Sequence, residues 1–204
     1  EQIGRCVDEI GIGFLFARTL HSAMKYVGPV RMELKIRTVF NILGPLTNPA
    51  GADRQVVGVF NRQLAPTMAE ALLGLGSKHA FVVAGMDGLD ELTLAGPSLV
   101  CEAKNGVVEE YELHPESLGL PLAATGALIG GDAEKNAALL RAVLEGEKGP
   151  RRDVVLLNAA PAMVAGGLAE DLKEGVECAA DAIDSGAALK KLESLIAFTN
   201  SGLP

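Results

Sequence analysis

The sequence has few cysteines, no long apolar run and no excess of positive charge, and each shortage closes off a class of function. Its three cysteines, Cys6, Cys101 and Cys178, stand far apart. An odd number without a CxxC pair excludes a disulfide framework and the usual cysteine metal sites, and fits a reducing cytoplasm. Hydrophobic residues make up 49% of the 204, yet no run approaches the ~20 that a membrane helix needs. The first residues carry no signal-peptide pattern. A formal net charge of −8 argues against non-specific nucleic-acid binding, which depends on Lys and Arg neutralising phosphates. An acidic protein that binds a polyphosphate must use local arginines, backbone N–H groups or a metal. There is also no P-loop, no GxGxxG after a strand and no nucleophile elbow.

What is present reads as α/β. The runs QVVGVF (55–60) and AFVVA (80–84) are apolar and rich in β-branched residues. Between them Leu64, Met68, Leu72 and Leu75 fall at helical spacing, with Pro66 in the first turn and Gly76 as a stop. Strand, helix, strand in about 30 residues predicts a βαβ unit with parallel strands and a right-handed crossover. Strands apolar on both sides predict a sheet covered on both faces. The run GIGFLFA (11–17) reads as a further buried strand, after the end of an amphipathic helix marked by Ile3, Val7 and Ile10.

Within 98–114 two β-prone runs flank Lys104-Asn105-Gly106, and Asn-Gly is a strong hairpin signal. Its Glu109, Glu110 and Glu112 read as a solvated face. Asp132, after Gly130-Gly131, caps a helix running to 144, although a Gly-Gly-Asp helix start can also hold a phosphate. The last third reads as helices over 154–164 (despite Pro161), 170–183 and 187–199. Ala179, Ile183, Leu189, Leu192, Leu195 and Ile196 are the expected core there. The expectation is a single α/β domain over 1–204: a largely parallel sheet, helices on both faces and an antiparallel hairpin.

Two stretches carry candidate chemistry. In RMELKIRTVFNILGPLTNPA (31–50), Arg31 and Arg37 flank an apolar run that ends in Gly44-Pro45 and Asn48-Pro49. A loop both apolar and proline-stiffened fits the wall of a pocket, because loops at the surface normally turn polar. Arg31 is then placed to hold an anion in bidentate fashion. A buried turn with its arginines in surface ion pairs explains the same residues. The second stretch is Gly85-Met86-Asp87-Gly88-Leu89-Asp90-Glu91, directly after a predicted strand. Ligands of open α/β sheets collect outside the carboxyl ends of strands, and adjacent carboxylates are hard oxygen ligands suited to Mg²⁺. A solvated acidic turn is the alternative.

The runs PVRMEL and RTVFNILGPLTNPA, with GIGFLFA before them, DGLDE at 87–91, GGDAEKNA at 130–137 and LLNAAPAMVAGG at 156–167, resemble the anthranilate phosphoribosyltransferases along the whole chain. The resemblance implies a Mg²⁺-dependent transferase of tryptophan biosynthesis, joining anthranilate to phosphoribosyl pyrophosphate and releasing pyrophosphate. It implies that Arg31 holds the anthranilate carboxylate, Pro45 lines the aromatic pocket, and Asp90 with Glu91 bind the metal; no side chain is assigned as an acid–base catalyst. Ser22 stands where the family usually has Pro, Lys35 where it often has Gly, and Ala84 where it often has His. None of these departures falls on an assigned residue. The family's GTGGD-type loop and Lys-His-Gly-Asn-Arg segment, which hold the diphosphate, do not occur here, nor does the helical domain that carries its homodimer contacts. The 204 residues are therefore expected to be the C-terminal part of a cytoplasmic enzyme's α/β domain, inactive alone, with neither nucleic acid nor membrane as partner. A pyrimidine nucleoside phosphorylase-like enzyme and a non-enzymatic nucleic-acid-binding paralogue of the same fold are the alternatives.

Overall fold

The computed structural model describes residues 2–15, 33 and 40–201. They belong to two compact units, one drawn from 1–51 and 188–204 and the other formed by 52–187.

The first unit contains α1 (Gln2–Ile10) and α2 (Phe40–Leu46). In α1 the buried residue is Cys6, while Arg5 and Glu9 pair on the outer face at 2.8 Å. Gly11 then turns the chain at φ +75°. The expected strand over 11–17 does not form in its described part. Residues 11–15 are irregular, with Ile12 and Phe14 exposed. The apolar loop expected before 50 is helical over α2, with Pro45 in the last turn, where its missing N–H limits further winding. Thr47 Oγ1 donates to the carbonyl of Leu43 (2.9 Å), and the Asn48 side chain accepts from Ala50 N–H (2.9 Å) to close the following turn.

The second unit is an α/β body built on a four-stranded sheet. Its strands are β1 (Arg54–Gly58), β2 (His79–Gly85), β3 (Ser98–Lys104) and β4 (Val107–Leu113), in spatial order β1-β2-β3-β4. Only β1 and β2 are parallel; β2–β3 and β3–β4 are antiparallel. The sheet is therefore mixed among the described residues, rather than largely parallel. The reason lies in the loop after β2, which returns the chain directly beside β2 instead of crossing over through a helix.

Between β1 and β2 lies α3 (Ala65–Gly74), whose buried face is Ala65, Met68, Ala69 and Leu72. Leu75, expected on that face, is 66% exposed because the helix ends at Gly74 and Gly76 turns the chain at φ +96°. This helix packs on β2, β3 and β4. All seven residues of β2 are buried, so both of its faces are covered. The β3–β4 turn has Asn105 at φ 54° and Gly106 at φ 83°, the two positive values that a type I′ hairpin requires. In the described sheet β4 is an edge, with Glu109, Glu110 and Glu112 exposed.

Helices follow. Asp132 caps α4 (Ala133–Leu144) by accepting from Lys135 N–H at 2.9 Å. The Asn136 amide holds both backbone groups of Gly131, at 2.8 and 3.0 Å. Helix α5 (Pro150–Gly166) is longer than the apolar stretch predicted, and Pro161 sits buried inside it. Against it runs α6 (Leu172–Asp184). Gly175 approaches Ala160 so closely that a Cβ would lie 2.7 Å from its carbonyl oxygen. The buried Arg152 grips Asp184 with two hydrogen bonds of 2.7 and 2.8 Å. Gly175 near the start of α6 meets the second half of α5, while Asp184 at the end of α6 meets Arg152 at the start of α5, so the pair is antiparallel. The Arg152 guanidinium, and then Lys148, hold the Asp184 carboxyl below its ordinary range.

The last helix, α7 (Ala187–Asn200), falls almost wholly in the first unit. Ala179 and Ile183 are core residues of α6 as expected, but none of the apolar residues of α7 is buried and Ile196 is 42% exposed. Leu189, Leu192 and Leu195 are half-buried. The described elements of that unit are helices without a sheet, which leave a helix face partly open.

Candidate functional site

The carboxyl ends of the parallel pair lie side by side, with Gly58 of β1 in register with Val83 of β2 and Val59 N–H donating to Val83 O at 2.9 Å. Beyond β2 the chain enters the loop 86–97, which is built around Asp87. One Asp87 oxygen accepts from Leu89 N–H (3.3 Å) and the other from Thr93 Oγ1 (2.8 Å). Gly85 N–H donates to Leu89 O at 2.9 Å, and Gly88 turns at φ +96°. Asp87 is thus committed to shaping the loop. Asp90 and Glu91 are exposed, and among the described residues no hydrogen bond or ion pair engages either carboxylate.

The backbone beneath those two residues is held from both sides. A Cβ on Gly58 would lie 1.6 Å from the carbonyl oxygen of Asp90, so the loop rests directly on the end of β1. Directly after Glu91, Leu92, Thr93 and Leu94 are essentially inaccessible to solvent. Leu92 N–H donates to Asn158 Oδ1 (2.8 Å), and Asn158 Nδ2 donates to Leu92 O (2.9 Å). Thr93 N–H donates to Ser98 Oγ at 3.0 Å. Two exposed carboxylates thus stand on a fixed backbone at the carboxyl end of the parallel strands.

This arrangement fits Mg²⁺. No group of three or more His, Cys, Asp or Glu converges among the described residues, which leaves the two adjacent carboxylates as the candidate donors. Mg²⁺ commonly takes one or two carboxylates and completes its octahedron with water and substrate phosphates rather than with a protein cage. Arg62, at the entry to α3, reaches Met86 with Nη1 3.1 Å from Sδ, which brings a guanidinium to the rim of the loop.

Of the other residues singled out in the sequence, Pro45 is half-buried in the last turn of α2, in the first unit. Arg31 lies outside the described residues. The structure therefore brings Asp90 and Glu91 together and is silent on Arg31. A cavity of about 390 Å³ elsewhere in the second unit is lined by Phe81, Glu102, Tyr111, Glu170, Asp171 and Lys173, among others. Phe81 and Glu102 are ladder partners four residues before the end of β2, roughly 13 Å along the strand from its carboxyl end at ~3.3 Å per residue. Glu102 is already paired with His79 (2.7 Å) and accepts from Tyr111 (3.3 Å). Burial pushes the Cys101 thiol up to about 11, which removes it as a thiolate nucleophile at neutral pH.

Sequence reasoning missed Asn158, Thr93, Gly58 and Arg62. Two of them carried a signal. A carboxamide inside the apolar helix 154–164 is out of place unless its side chain is engaged, and a glycine in a strand pattern often marks a close backbone approach. Thr93 and Arg62 carried none.

Comparison with known proteins identifies the family. Residues 1–189 match the family described as "Glycosyl transferase family, a/b domain". The chain is 58% identical over 199 residues to an anthranilate phosphoribosyltransferase of Rhodopseudomonas palustris (strain HaA2), covering 98% of this chain and 59% of that protein. The solved anthranilate phosphoribosyltransferase of Thermus thermophilus superposes with a TM-score of 0.89 at 50% identity, covering 97% of this chain and 59% of that one. That of Saccharomyces cerevisiae, 31% identical, has been solved with PRPP and Mg (TM-score 0.89) and with 4-fluoroanthranilate (TM-score 0.90). Both cover 98% of this chain and 58% of theirs. The chain thus spans about three fifths of the length of these relatives.

Proposed function

The chain belongs to the glycosyl transferase family, whose a/b domain it matches over residues 1–189, and from that premise we propose that the full-length protein is an anthranilate phosphoribosyltransferase. In this reading it transfers the phosphoribosyl group of phosphoribosyl pyrophosphate to the amine of anthranilate. The observation that carries the reading is the exposed Asp90–Glu91 pair, standing on a backbone fixed at the carboxyl end of the parallel strands. The yeast relative solved with PRPP and Mg gives it further support.

The N–C bond forms at the anomeric carbon as the C–O bond to pyrophosphate breaks, and one amine proton passes to solvent. The aniline nitrogen is neutral at physiological pH, so no side chain is needed to free its lone pair. The protein's task is to align the amine with the anomeric carbon and to stabilise the departing charge. Mg²⁺, when bound, neutralises charge on the phosphate oxygens. Asp90 and Glu91 hold it, Arg31 pairs with the anthranilate carboxylate, and Pro45 forms part of the wall of the aromatic pocket. Three free cysteines suit a cytoplasmic setting.

The test is the double variant Asp90→Asn, Glu91→Gln in the full-length protein. Both residues are exposed, so circular dichroism should be unchanged. The kcat/KM for phosphoribosyl pyrophosphate should fall on the order of 10²-fold or more, matching the several kcal/mol a metal contributes to charge stabilisation. Unaltered Mg²⁺ dependence with normal turnover would end the assignment.

A further inference from the structure

We propose that Asn158 is a positioning residue for the metal-binding carboxylates, setting the aim of Glu91, and through it Asp90, by gripping the peptide that follows them. The inference rests on the assignment of Asp90 and Glu91 as the Mg²⁺ ligands. It adds a residue distant in sequence, on a different element.

The geometry is that of a side-chain amide pairing with a backbone peptide in the way a neighbouring strand would. Asn158 Oδ1 accepts from Leu92 N–H at 2.8 Å and Nδ2 donates to Leu92 O at 2.9 Å. The second Nδ2 hydrogen goes to Val154 O at 3.0 Å, one helical turn back, and fixes the plane of the amide. Three short hydrogen bonds leave the side chain one orientation. Leu92 is fully buried and is the immediate neighbour of Glu91. Nothing among the described residues holds the Asp90 or Glu91 side chains directly, so their direction is inherited from the backbone. That backbone is pinned above by Asn158 and below by Gly58.

A carboxamide carries a two-hydrogen donor and an acceptor side by side on one planar group, which matches the N–H and C=O of a peptide. An aspartate here would turn an acceptor towards two carbonyl oxygens, and a serine hydroxyl has a single proton for those two carbonyls. Asparagine is also a poor residue for the interior of a helix, so its occurrence within α5 (Pro150–Gly166) is explained by this engagement and not by helix formation. Accuracy is needed because Mg²⁺ demands near-ideal octahedral geometry and tolerates little displacement of its oxygen ligands. Groups that orient metal ligands typically contribute about 10- to 100-fold to metal affinity or activity.

The experiment compares Asn158→Asp with the wild type in the full-length protein, using Mn²⁺ as a paramagnetic probe together with phosphoribosyl pyrophosphate. Electron paramagnetic resonance should show Mn²⁺ bound roughly 10- to 100-fold more weakly. The Mg²⁺ concentration giving half-maximal rate should rise by a similar factor, excess Mg²⁺ should recover much of the rate, and the KM for anthranilate should stay near the wild-type value. Asn158→Ser, which keeps the chain neutral, carries the same expectation and replaces the aspartate if that variant does not fold. A folded variant with normal Mn²⁺ affinity and a uniform loss of rate would make Asn158 merely structural and overturn the proposal. The Asp90→Asn, Glu91→Gln protein is the control. If it too binds Mn²⁺ normally, the metal assignment itself fails; if only the Asn158 variants do, that assignment stands and the positioning role alone is refuted.

Discussion

Gly58→Ala is the smallest change that should disturb the site, because one methyl group would be driven into the loop that carries the carboxylates. The added carbon would lie 1.6 Å from the carbonyl oxygen of Asp90, 2.7 Å from its carbonyl carbon and 3.6 Å from its Cα. A relaxed carbon–oxygen approach is about 3.3 Å, so strand or loop must retreat by roughly 1.7 Å along that line. The strand is tied into the parallel ladder with β2, whereas Asp90 and Glu91 are exposed, so the loop should give way. Overpacking of this kind costs about 1–3 kcal/mol. At no more than about 2–4 °C per kcal/mol, the value for a domain of 150–250 residues, the melting temperature should fall by a few degrees. Activity should suffer more than stability, since a misplacement near 1 Å can cost about 10²-fold in rate. The assay is thermal unfolding of the full-length protein, together with initial rates titrated with Mg²⁺ at saturating anthranilate. The expected result is a folded enzyme with a raised Mg²⁺ requirement and about 10²-fold lower turnover. A variant with wild-type melting and wild-type Mg²⁺ response would show that the loop does not rest on β1 as described.

Two further outcomes are expected. Arg31→Ala should raise the KM for anthranilate roughly ten- to a hundred-fold, the worth of a lost charge-assisted hydrogen bond, with little change in the KM for phosphoribosyl pyrophosphate; equal damage to both would assign the carboxylate contact elsewhere. Arg152→Met should lower the melting temperature by several degrees at pH 7, because it removes the buried partner of Asp184. The Asp184 carboxyl is held below its ordinary value in the fold, so its contribution is complete above about pH 4 and is lost as pH falls through the lowered folded value. Melting curves of variant and wild type should therefore converge on acidification, and a gap that widened towards pH 3 would contradict the pairing.

The legible parts of the sequence were those where local chemistry dictates local structure. Asn105-Gly106 specified a hairpin turn, Asp132 a helix cap, and the apolar runs either side of 64–75 a parallel βαβ unit, because each depends on a few adjacent residues. The end of a strand followed by paired carboxylates marked the candidate site for the same reason. What was hidden depends on tertiary context. The antiparallel entry of β3 beside β2 follows from a loop folded around Asp87, which no periodicity records. Leu75 lost its place in the core to a helix stop one residue before it, and α7 has a helical pattern but no element that buries it. The grip of Asn158 on Leu92 joins residues 66 apart, a distance over which a single sequence carries no pairing information.

Among the described residues an outer edge of the sheet is β4, and its chemistry bears on how copies of the molecule would meet. An edge strand presents a row of unpaired N–H and C=O groups, an open template for a second chain. On β4 that row comes with Glu109, Glu110 and Glu112 turned to solvent. Two such edges meeting would set carboxylate against carboxylate, which opposes pairing in either register. The glutamates therefore act as a colloidal guard more than as a stabiliser of the hairpin. The guard is electrostatic and so conditional: in concentrated salt, where screening shortens to a few ångströms, the same edge becomes adhesive.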